Sequence, residues 1–230
     1  MSARQIRRMR EYYFATVTLI DRQVEKIIRA LKSKGLLEST LIVFSSDHGD
    51  HLGDHGLPFK LTFYESSLMV PLIVRGPGVA KGARCSSFVN WLDLHATFLS
   101  LAGIEIPDHA QGRDITALFA DPTQEVRQEI ASELIGRVMM RNRRHKLVLC
   151  DDGSGELYDL REQPLEVHNH FDDPVFRDVR EELTDKIIRH LLAHSRVRSF
   201  GGGRNAPDAE REERFRVIRK KLSRGEYPGL

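Results

Sequence analysis

The 230-residue chain, with 40% hydrophobic and 30% charged residues, has the composition of a globular protein. This length is enough for one hydrophobic core, or for one core and a small second unit. A formal net charge of +2 gives no reason to expect a nucleic acid or another polyanion as a partner.

The sequence also carries no signal for a membrane or for an oxidising compartment. It has no run of about eighteen apolar residues and no apolar export segment near its start, so we expect neither a membrane span nor a secretion signal. Cys85 and Cys150 are too few and too far apart for a disulfide framework or a cysteine zinc site. A reducing, cytoplasmic location is therefore the default expectation.

The first part of the chain alternates predicted helices and strands. Apolar residues at three- and four-residue spacing predict a helix over 6–34 whose apolar stripe lies on a sheet. That stripe consists of Val17, Ile20, Val24, Ile27 and Leu31. The apolar runs at 41–44 and 71–74 predict strands covered on both faces, with a brief third strand at 87–89. A further helix is expected from Asp93 through Leu101.

The second part is predicted to be an antiparallel meander. Its four expected strands are 129–134, 138–141, 146–150 and 157–158. The amphipathic segment 175–194 predicts a helix that covers this sheet, and residues after Ser199 indicate a linker and a solvated helix or frayed tail. Asp151 and Asp152 are expected in a hairpin turn.

These elements predict an α/β fold. We expect part of a mixed, mostly parallel sheet between helices, followed by the small four-stranded antiparallel sheet and its helix. The corresponding domains are 1–121 for the α/β core, 122–198 for the antiparallel subdomain and 199–230 for a charged tail.

The loop after the strand at 41–44 concentrates chemically active side chains. Residues 47–60 contain three Asp, three His, three Gly and Lys60. In open α/β sheets, ligands bind beyond the carboxyl ends of strands. Carboxylate oxygens beside imidazole nitrogens suit a divalent cation. Taken alone, the same residues are also compatible with a solvated turn.

The loop also resembles a known motif. The segments 46–49 (Ser-Asp-His-Gly) and 52–57 (Leu-Gly-Asp-His-Gly-Leu), followed by Lys60, are similar to the second metal-binding motif of sulfatases and phosphonate monoester hydrolases, in the alkaline phosphatase superfamily. The resemblance continues in family order over residues 10–195. Its further landmarks are Tyr64-Glu65, Val70–Val74, Gly76-Pro77-Gly78, Asp93-Leu94, Gln111-Gly112-Arg113, Leu157–Leu160, Pro164 and Glu166.

The resemblance implies roles for individual residues. Asp47 and His48 are expected to bind a divalent cation, calcium first, with manganese or magnesium as alternatives. Lys60 is expected to contact the oxygens of the ester, and His55 to lie near the ligands or the substrate, so Lys60 and His55 are the expected catalytic residues. We expect the ring of His51 to be solvated. The substrate implied for the complete enzyme is a sulfate ester of a small molecule or a glycan.

Other family features are missing from this sequence. Members carry an acidic pair and a Cys/Ser-x-Pro-x-Arg nucleophile motif before the long helix, and neither Cys85 nor Cys150 stands in that pattern. We therefore expect the C-terminal half of a sulfatase-type hydrolase, whose partner is the missing N-terminal half or a second copy of the chain. Asp47 and His48 offer two ligands where hard cations take about six.

Three alternatives stay open at this point. A phosphate or phosphonate diester hydrolase of the same superfamily would share the Asp-His pair. Phosphoglycerate mutases and nucleotide phosphodiesterases share it too, but the segments 56–60 and 158–160 count against them. A non-catalytic interaction module that retains the fold is the third.

The sequence predicts that the isolated chain is inactive, because no nucleophile is present for a covalent route. The purified chain should release no sulfate from an aryl sulfate, and should cleave no phosphonate diester, faster than buffer does. Turnover well above the buffer rate would contradict this expectation.

Overall fold

The structure is a computed structural model that describes residues 1–194 and Arg216. The expected linker and charged helix after Ser199 therefore lie outside the described residues, apart from Arg216. The chain forms two compact units. The first comprises Met1–Ile130 and Asp159–His168, and the second comprises Ala131–Tyr158 and the described residues from Asn169 onward. The domain boundaries expected from the sequence stay predictions.

The first unit begins with a long helix, α1, over Ala3–Ser33. Its start is set by a capping box, in which the Ser2 hydroxyl accepts from the Gln5 backbone N–H and the Gln5 side chain accepts from the Ser2 backbone. The helix therefore begins three residues before the predicted start at residue 6. No helix within residues 1–194 is long and apolar enough to cross a membrane.

The prediction that the apolar stripe of α1 lies on a sheet is wrong. No residue of α1 is buried, and Val17, Ile20 and Ile27 are 46–60% exposed. The reason is the size of the sheet. Helix α1 is about 46 Å long, whereas the sheet of this unit has only two strands, about 5 Å apart. A two-stranded sheet is too narrow to cover such a helix.

The two strands of this unit are β1, Ile42–Ser45, and β2, Leu72–Arg75. They pair antiparallel, with Ile42 opposite Arg75 and Ser45 opposite Leu72. The predicted mostly parallel sheet is therefore not confirmed in the part of the chain that the structure describes. The strands are half-buried rather than covered on both faces, and residues 87–89 form no strand. Short apolar runs do not encode strand direction, which explains the difference.

Three helices complete the first unit: α2 over Glu65–Leu68, α3 over Trp91–Leu101 and α4 over Thr116–Ala120. The N-terminus of α3 is fixed by a second capping box, between Asn90 and Asp93. Asp93 is fully buried, and both of its carboxylate oxygens accept from the guanidinium of Arg127, at 2.6 and 2.7 Å. This bidentate pair compensates the buried charge and anchors α3.

The second unit confirms the predicted antiparallel meander. Its strands run in the order β3 (Ile130–Leu134), β4 (Arg137–Arg141), β5 (His145–Cys150) and β6 (Gly155–Asp159). A 3-10 turn at Pro174–Phe176 leads into α5, Arg177–His194, which confirms the predicted covering helix. Residues 151–154 form the turn between β5 and β6, as expected.

The core of this unit lies between α5 and the sheet. One cluster of buried side chains joins the two layers and consists of Met140, Leu147, Leu157, Leu183 and Ile187. They pack where the apolar face of α5 meets one face of the sheet. Burial therefore follows the 3.6-residue period of the helix and the two-residue period of the strands.

Leu183→Ala should lower the free energy of unfolding by about 2–5 kcal/mol, because it leaves a cavity in this core. Leu191→Ala is the matched control on the same helix, since Leu191 is partly exposed, and it should cost less than about 1 kcal/mol. Urea denaturation followed by circular dichroism measures both values. Equal losses in the two variants would contradict the assigned core.

Candidate functional site

The loop between β1 and α2 folds back on itself. The His51 backbone N–H donates to the Phe59 carbonyl oxygen at 2.7 Å, and the Gly53 N–H donates to the Leu57 carbonyl oxygen at 2.8 Å. A 3-10 turn at Asp54–Gly56 reverses the chain between these two bonds. Gly53 has φ of +99°, a left-handed conformation that glycine adopts without strain. The closure returns residue 60 to the start of the loop.

Three predicted site residues converge at the end of β1. Nζ of Lys60 lies 2.6 Å from Nε2 of His48, and the same ring nitrogen lies 3.2 Å from Oδ2 of Asp47. The His48 backbone N–H donates to Oδ1 of Asp47 at 3.0 Å. The structure thus brings the two proposed cation ligands and the proposed cationic contact together, although their roles stay predictions.

The electrostatics of this cluster favour an ionised carboxylate. The hydrogen bond from the His48 backbone N–H has the largest effect on the pKa of Asp47 and lowers it. Desolvation is the next largest effect and opposes it, while electrostatic interactions with the His48 side chain and with Lys60 lower the pKa further, so the net shift is downward. The Asp47 side chain is largely exposed, with 74% of its surface accessible. It is therefore available to a ligand.

The tautomer of His48 follows from its second ring nitrogen. Nδ1 of His48 lies 3.1 Å from the Gly49 carbonyl oxygen, which can only accept a hydrogen bond. We therefore assign the proton of the neutral ring to Nδ1, so that the lone pair of Nε2 faces Asp47 and Lys60.

His55 packs against an aromatic side chain. Its ring stacks on the ring of Tyr64, with centroids 3.6 Å apart and planes inclined by 5°. Its backbone is left-handed, with φ of +52°. The catalytic role expected for His55 stays a prediction.

The expectation of a solvated ring at His51 is wrong. His51 is only 1% exposed, and both of its ring nitrogens have partners. Nδ1 lies 2.6 Å from the Ser66 hydroxyl, and Nε2 lies 3.0 Å from the Thr62 hydroxyl. No local pattern predicts this burial, because the partners lie 11 and 15 residues further along the chain.

The environment of His51 disfavours its charged form. Burial lowers the pKa of His51 most and the neighbouring His55 lowers it further, while Asp54, Asp50 and Glu166 act in the opposite direction. The net effect is a lowered pKa, so the ring is neutral at neutral pH.

Trp91 is a residue that the sequence analysis missed. Its indole N–H donates to the Ser46 carbonyl oxygen at 2.6 Å, directly before Asp47. More than half of the Trp91 side chain is exposed. The N-terminus of α3 thus holds the end of β1 in place. A single tryptophan near a helix start carries no spacing signal for such a contact.

Comparison with known proteins identifies the family. The sequence profile described as "N-sulphoglucosamine sulphohydrolase, C-terminal" matches residues 53–192, which is more than half of the chain. The chain belongs to the sulfatase family.

Similar sulfatase sequences share this region. A choline-sulfatase of Rhizobium meliloti (strain 1021) is 34% identical over 230 residues, covering 96% of this chain and 44% of the relative. An arylsulfatase K of Bos taurus is 30% identical over 210 residues, covering 84% of this chain and 38% of the relative. This sulfatase-family chain therefore spans less than half the length of these relatives.

Solved structures with the same fold include two relevant enzymes. The structure of BT4656 in complex with its substrate D-glucosamine-2-N,6-O-disulfate has a TM-score of 0.74 and 26% identity, covering 81% of this chain and 41% of that one. The phosphonate monoester hydrolase of Agrobacterium radiobacter has a TM-score of 0.72 and 28% identity, covering 80% and 41%. Both similarities support the sulfatase-family assignment.

The donor set of this sulfatase-family chain fits part of a divalent cation site. Two ligands of one hard cation, each at about 2.3–2.6 Å, stand about 3.3–3.7 Å apart when at right angles. The 3.2 Å between Nε2 of His48 and Oδ2 of Asp47 is close to that range. Within residues 1–194, however, no group of three or more His, Cys, Asp or Glu side chains is arranged to hold a metal. The chain thus presents two donors rather than a complete cage.

The lowered pKa of His51 predicts that stability falls as the pH drops below about 6.5. In that range the unfolded chain binds a proton that the folded chain does not, so protons favour unfolding. The contribution of His51 is complete above the unfolded pKa and is lost on acidification. Urea denaturation at about pH 7.5 and about pH 5.5 measures the difference.

His51→Phe should reduce this pH dependence, because the titrating ring is removed. His95→Phe is the control, since His95 is exposed on α3 of the same unit, and it should keep the wild-type dependence. Burial also lowers the pKa of His190, which contributes in the same pH range, so His51→Phe should reduce the dependence rather than abolish it. The lowered pKa values of the aspartates act only around pH 4 and below. A stability that rises on acidification through pH 6.5, with no change in His51→Phe, would contradict the assignment.

Proposed function

We propose that this chain contributes one side of the active site of a sulfatase-type hydrolase. Asp47 and His48 would hold a divalent cation, with calcium as the first choice and manganese or magnesium as alternatives, and Lys60 would contact the oxygens of a sulfuric ester. The observation that supports this is the convergence of the three side chains at the end of β1. Nζ of Lys60 and Oδ2 of Asp47 lie 2.6 and 3.2 Å from Nε2 of His48.

The chemistry of the cluster explains why these residues suit that role. A cation bound there would supply Lewis-acid polarisation of the ester. The carboxylate of Asp47 is kept ionised by its lowered pKa, and the lone pair of His48 Nε2 points toward that carboxylate. Two acceptors at 3.2 Å repel each other unless positive charge is near, and the Lys60 ammonium provides some of it. The same ammonium is placed to attract the negative oxygens of a sulfate group.

The substrate class proposed is a sulfuric ester of a small molecule or a glycan. The named sequence relatives are a choline-sulfatase and an arylsulfatase at 30–34% identity, and these favour a sulfate over a phosphonate ester. The solved relative BT4656 holds a sulfated glucosamine. The sulfate group is common to the substrates that these relatives' names indicate, so we propose that Lys60 contacts the sulfate oxygens.

We further propose that the remaining ligands and the nucleophile come from another segment of polypeptide. The two donors Asp47 and His48 are fewer than the six or more oxygen ligands that calcium takes. A segment equivalent to the part of the relatives that this chain does not cover is the proposed partner, and a second copy of the chain is the alternative.

Cation binding can be tested with Trp91, the only tryptophan in the sequence. Its indole N–H is bonded to the carbonyl that precedes Asp47, so a cation at Asp47 should change its fluorescence. Titration with Ca²⁺ and then Mn²⁺ should show saturable binding with a dissociation constant of about a millimolar or weaker, because the ligand set is small. Asp47→Asn should weaken binding at least tenfold.

Asp108→Asn is the control, since it removes one exposed carboxylate of the same unit without touching the cluster. It should bind the cation as the wild type does. An identical response in wild type and Asp47→Asn would overturn the assignment of Asp47 as a ligand and would favour the non-catalytic interaction module.

A further inference from the structure

We propose that His51 is a positioning residue that sets the distance between Lys60 and His48. This inference rests on the proposed function of the Asp47, His48 and Lys60 cluster. It concerns a residue that lies outside that cluster and makes no direct contact with Asp47, His48 or Lys60 among the hydrogen bonds of the described residues.

The first observation is that His51 joins separate segments through its ring. Nδ1 meets the Ser66 hydroxyl in α2, and Nε2 meets the Thr62 hydroxyl, in the segment between Lys60 and α2. A buried imidazole needs partners for both nitrogens, because an unpaired buried polar group is costly. His51, 1% exposed, has both. An apolar ring of similar size would fill the space without making either link.

The second observation is that the backbone of His51 closes the loop. Its N–H donates to the Phe59 carbonyl at 2.7 Å, and its carbonyl accepts from the Asp54 N–H at 3.0 Å. Phe59 is the residue directly before Lys60. A displacement of His51 therefore moves the chain from which the Lys60 side chain reaches His48.

The third observation is that α2, to which the ring is bonded, is itself held on two sides. The Gly49 N–H donates to the Ser67 carbonyl at 2.8 Å, and a Cβ atom at Gly49 would stand 2.0 Å from the Ser66 carbonyl oxygen. On the other side, the Glu65 N–H at the first turn of α2 donates at 2.8 Å to the carboxylate of Glu166, which is buried. Helix α2 is thus a fixed reference for the loop.

These contacts form one continuous path in the first unit. It runs from Glu166 to α2, from Ser66 to the ring of His51, and from the His51 backbone to Phe59 and Lys60. His51 lies in the middle of this path, and its contacts fix the approach of the Lys60 ammonium to the ring nitrogen of His48.

The test compares His51→Phe, His51→Asn and the control His95→Phe in the full chain. His51→Phe keeps a ring and removes both nitrogens, whereas His51→Asn keeps an amide near the position of Nδ1 and can retain the Ser66 bond. Two readouts are made by NMR: the ring proton signals of His48 without metal, and the broadening of those signals by Mn²⁺. Thermal unfolding of each variant is measured alongside.

In His51→Phe the His48 ring signals should shift, and the Mn²⁺ concentration needed for half-maximal broadening should fall several-fold, because a displaced Lys60 ammonium no longer competes with the cation for the lone pair of Nε2. His51→Asn should recover part of the wild-type behaviour, and His95→Phe should match the wild type. Recovery by the conservative variant separates positioning from a general loss of packing. Unchanged His48 signals and unchanged Mn²⁺ response in folded His51→Phe would overturn the inference.

The two proposals fail in distinguishable ways. If the wild type shows no Mn²⁺ broadening at His48, the proposed cation role fails. The metal-free His48 signals then decide the role of His51. A shift of these signals in His51→Phe supports the positioning role, and no shift overturns it. If His51→Phe does not fold, Ser66→Ala takes its place, since it removes only the partner of Nδ1. A folded Ser66→Ala with wild-type His48 signals would then overturn the inference.

Discussion

The hydrogen bond from the His51 N–H to the Phe59 carbonyl is the interaction on which the site depends. Asp47 and His48 are neighbours in sequence, but Lys60 follows His48 by 12 residues and meets it only because the loop closes. The closure converts a long connection into a small cluster of one carboxylate, one imidazole and one ammonium. Without it the ammonium would be solvated, and the two acceptors would face each other with no compensating charge.

The backbone conformations show where the chain is strained to reach this geometry. Four non-glycine residues within the described part of the chain have positive φ, and three of them, Leu52, His55 and Leu61, lie in or directly after the loop. The fourth is Glu166, whose carboxylate holds α2. A left-handed non-glycine residue costs about 1 kcal/mol or more, so such residues persist where surrounding contacts hold them. Glu166 lies on the path of contacts that leads to Lys60, and Leu52 and Leu61 directly follow His51 and Lys60 in the chain.

The second unit could be predicted almost completely, and the first only in part. Period-two alternation and short turns specify β3–β6 locally, and the 3.6-residue period of α5 specifies the face that packs on them. In the first unit, the same reasoning predicted α1 but not the exposure of its apolar stripe. Whether the stripe of α1 is buried depends on which element packs against it, and the sequence of the helix does not specify that element. The antiparallel pairing of β1 with β2 depends on a connection of 26 residues that has no local pattern.

The sequence by itself determined the family, the order of most elements and the three side chains Asp47, His48 and Lys60, because motif and periodicity are local properties. Only the tertiary structure decided that Lys60 meets His48, that His51 is buried between two hydroxyls, and that Glu166 holds α2 from 101 residues away. The physical reason is that such contacts arise from loop closure and packing between distant segments. Residue spacing encodes neither.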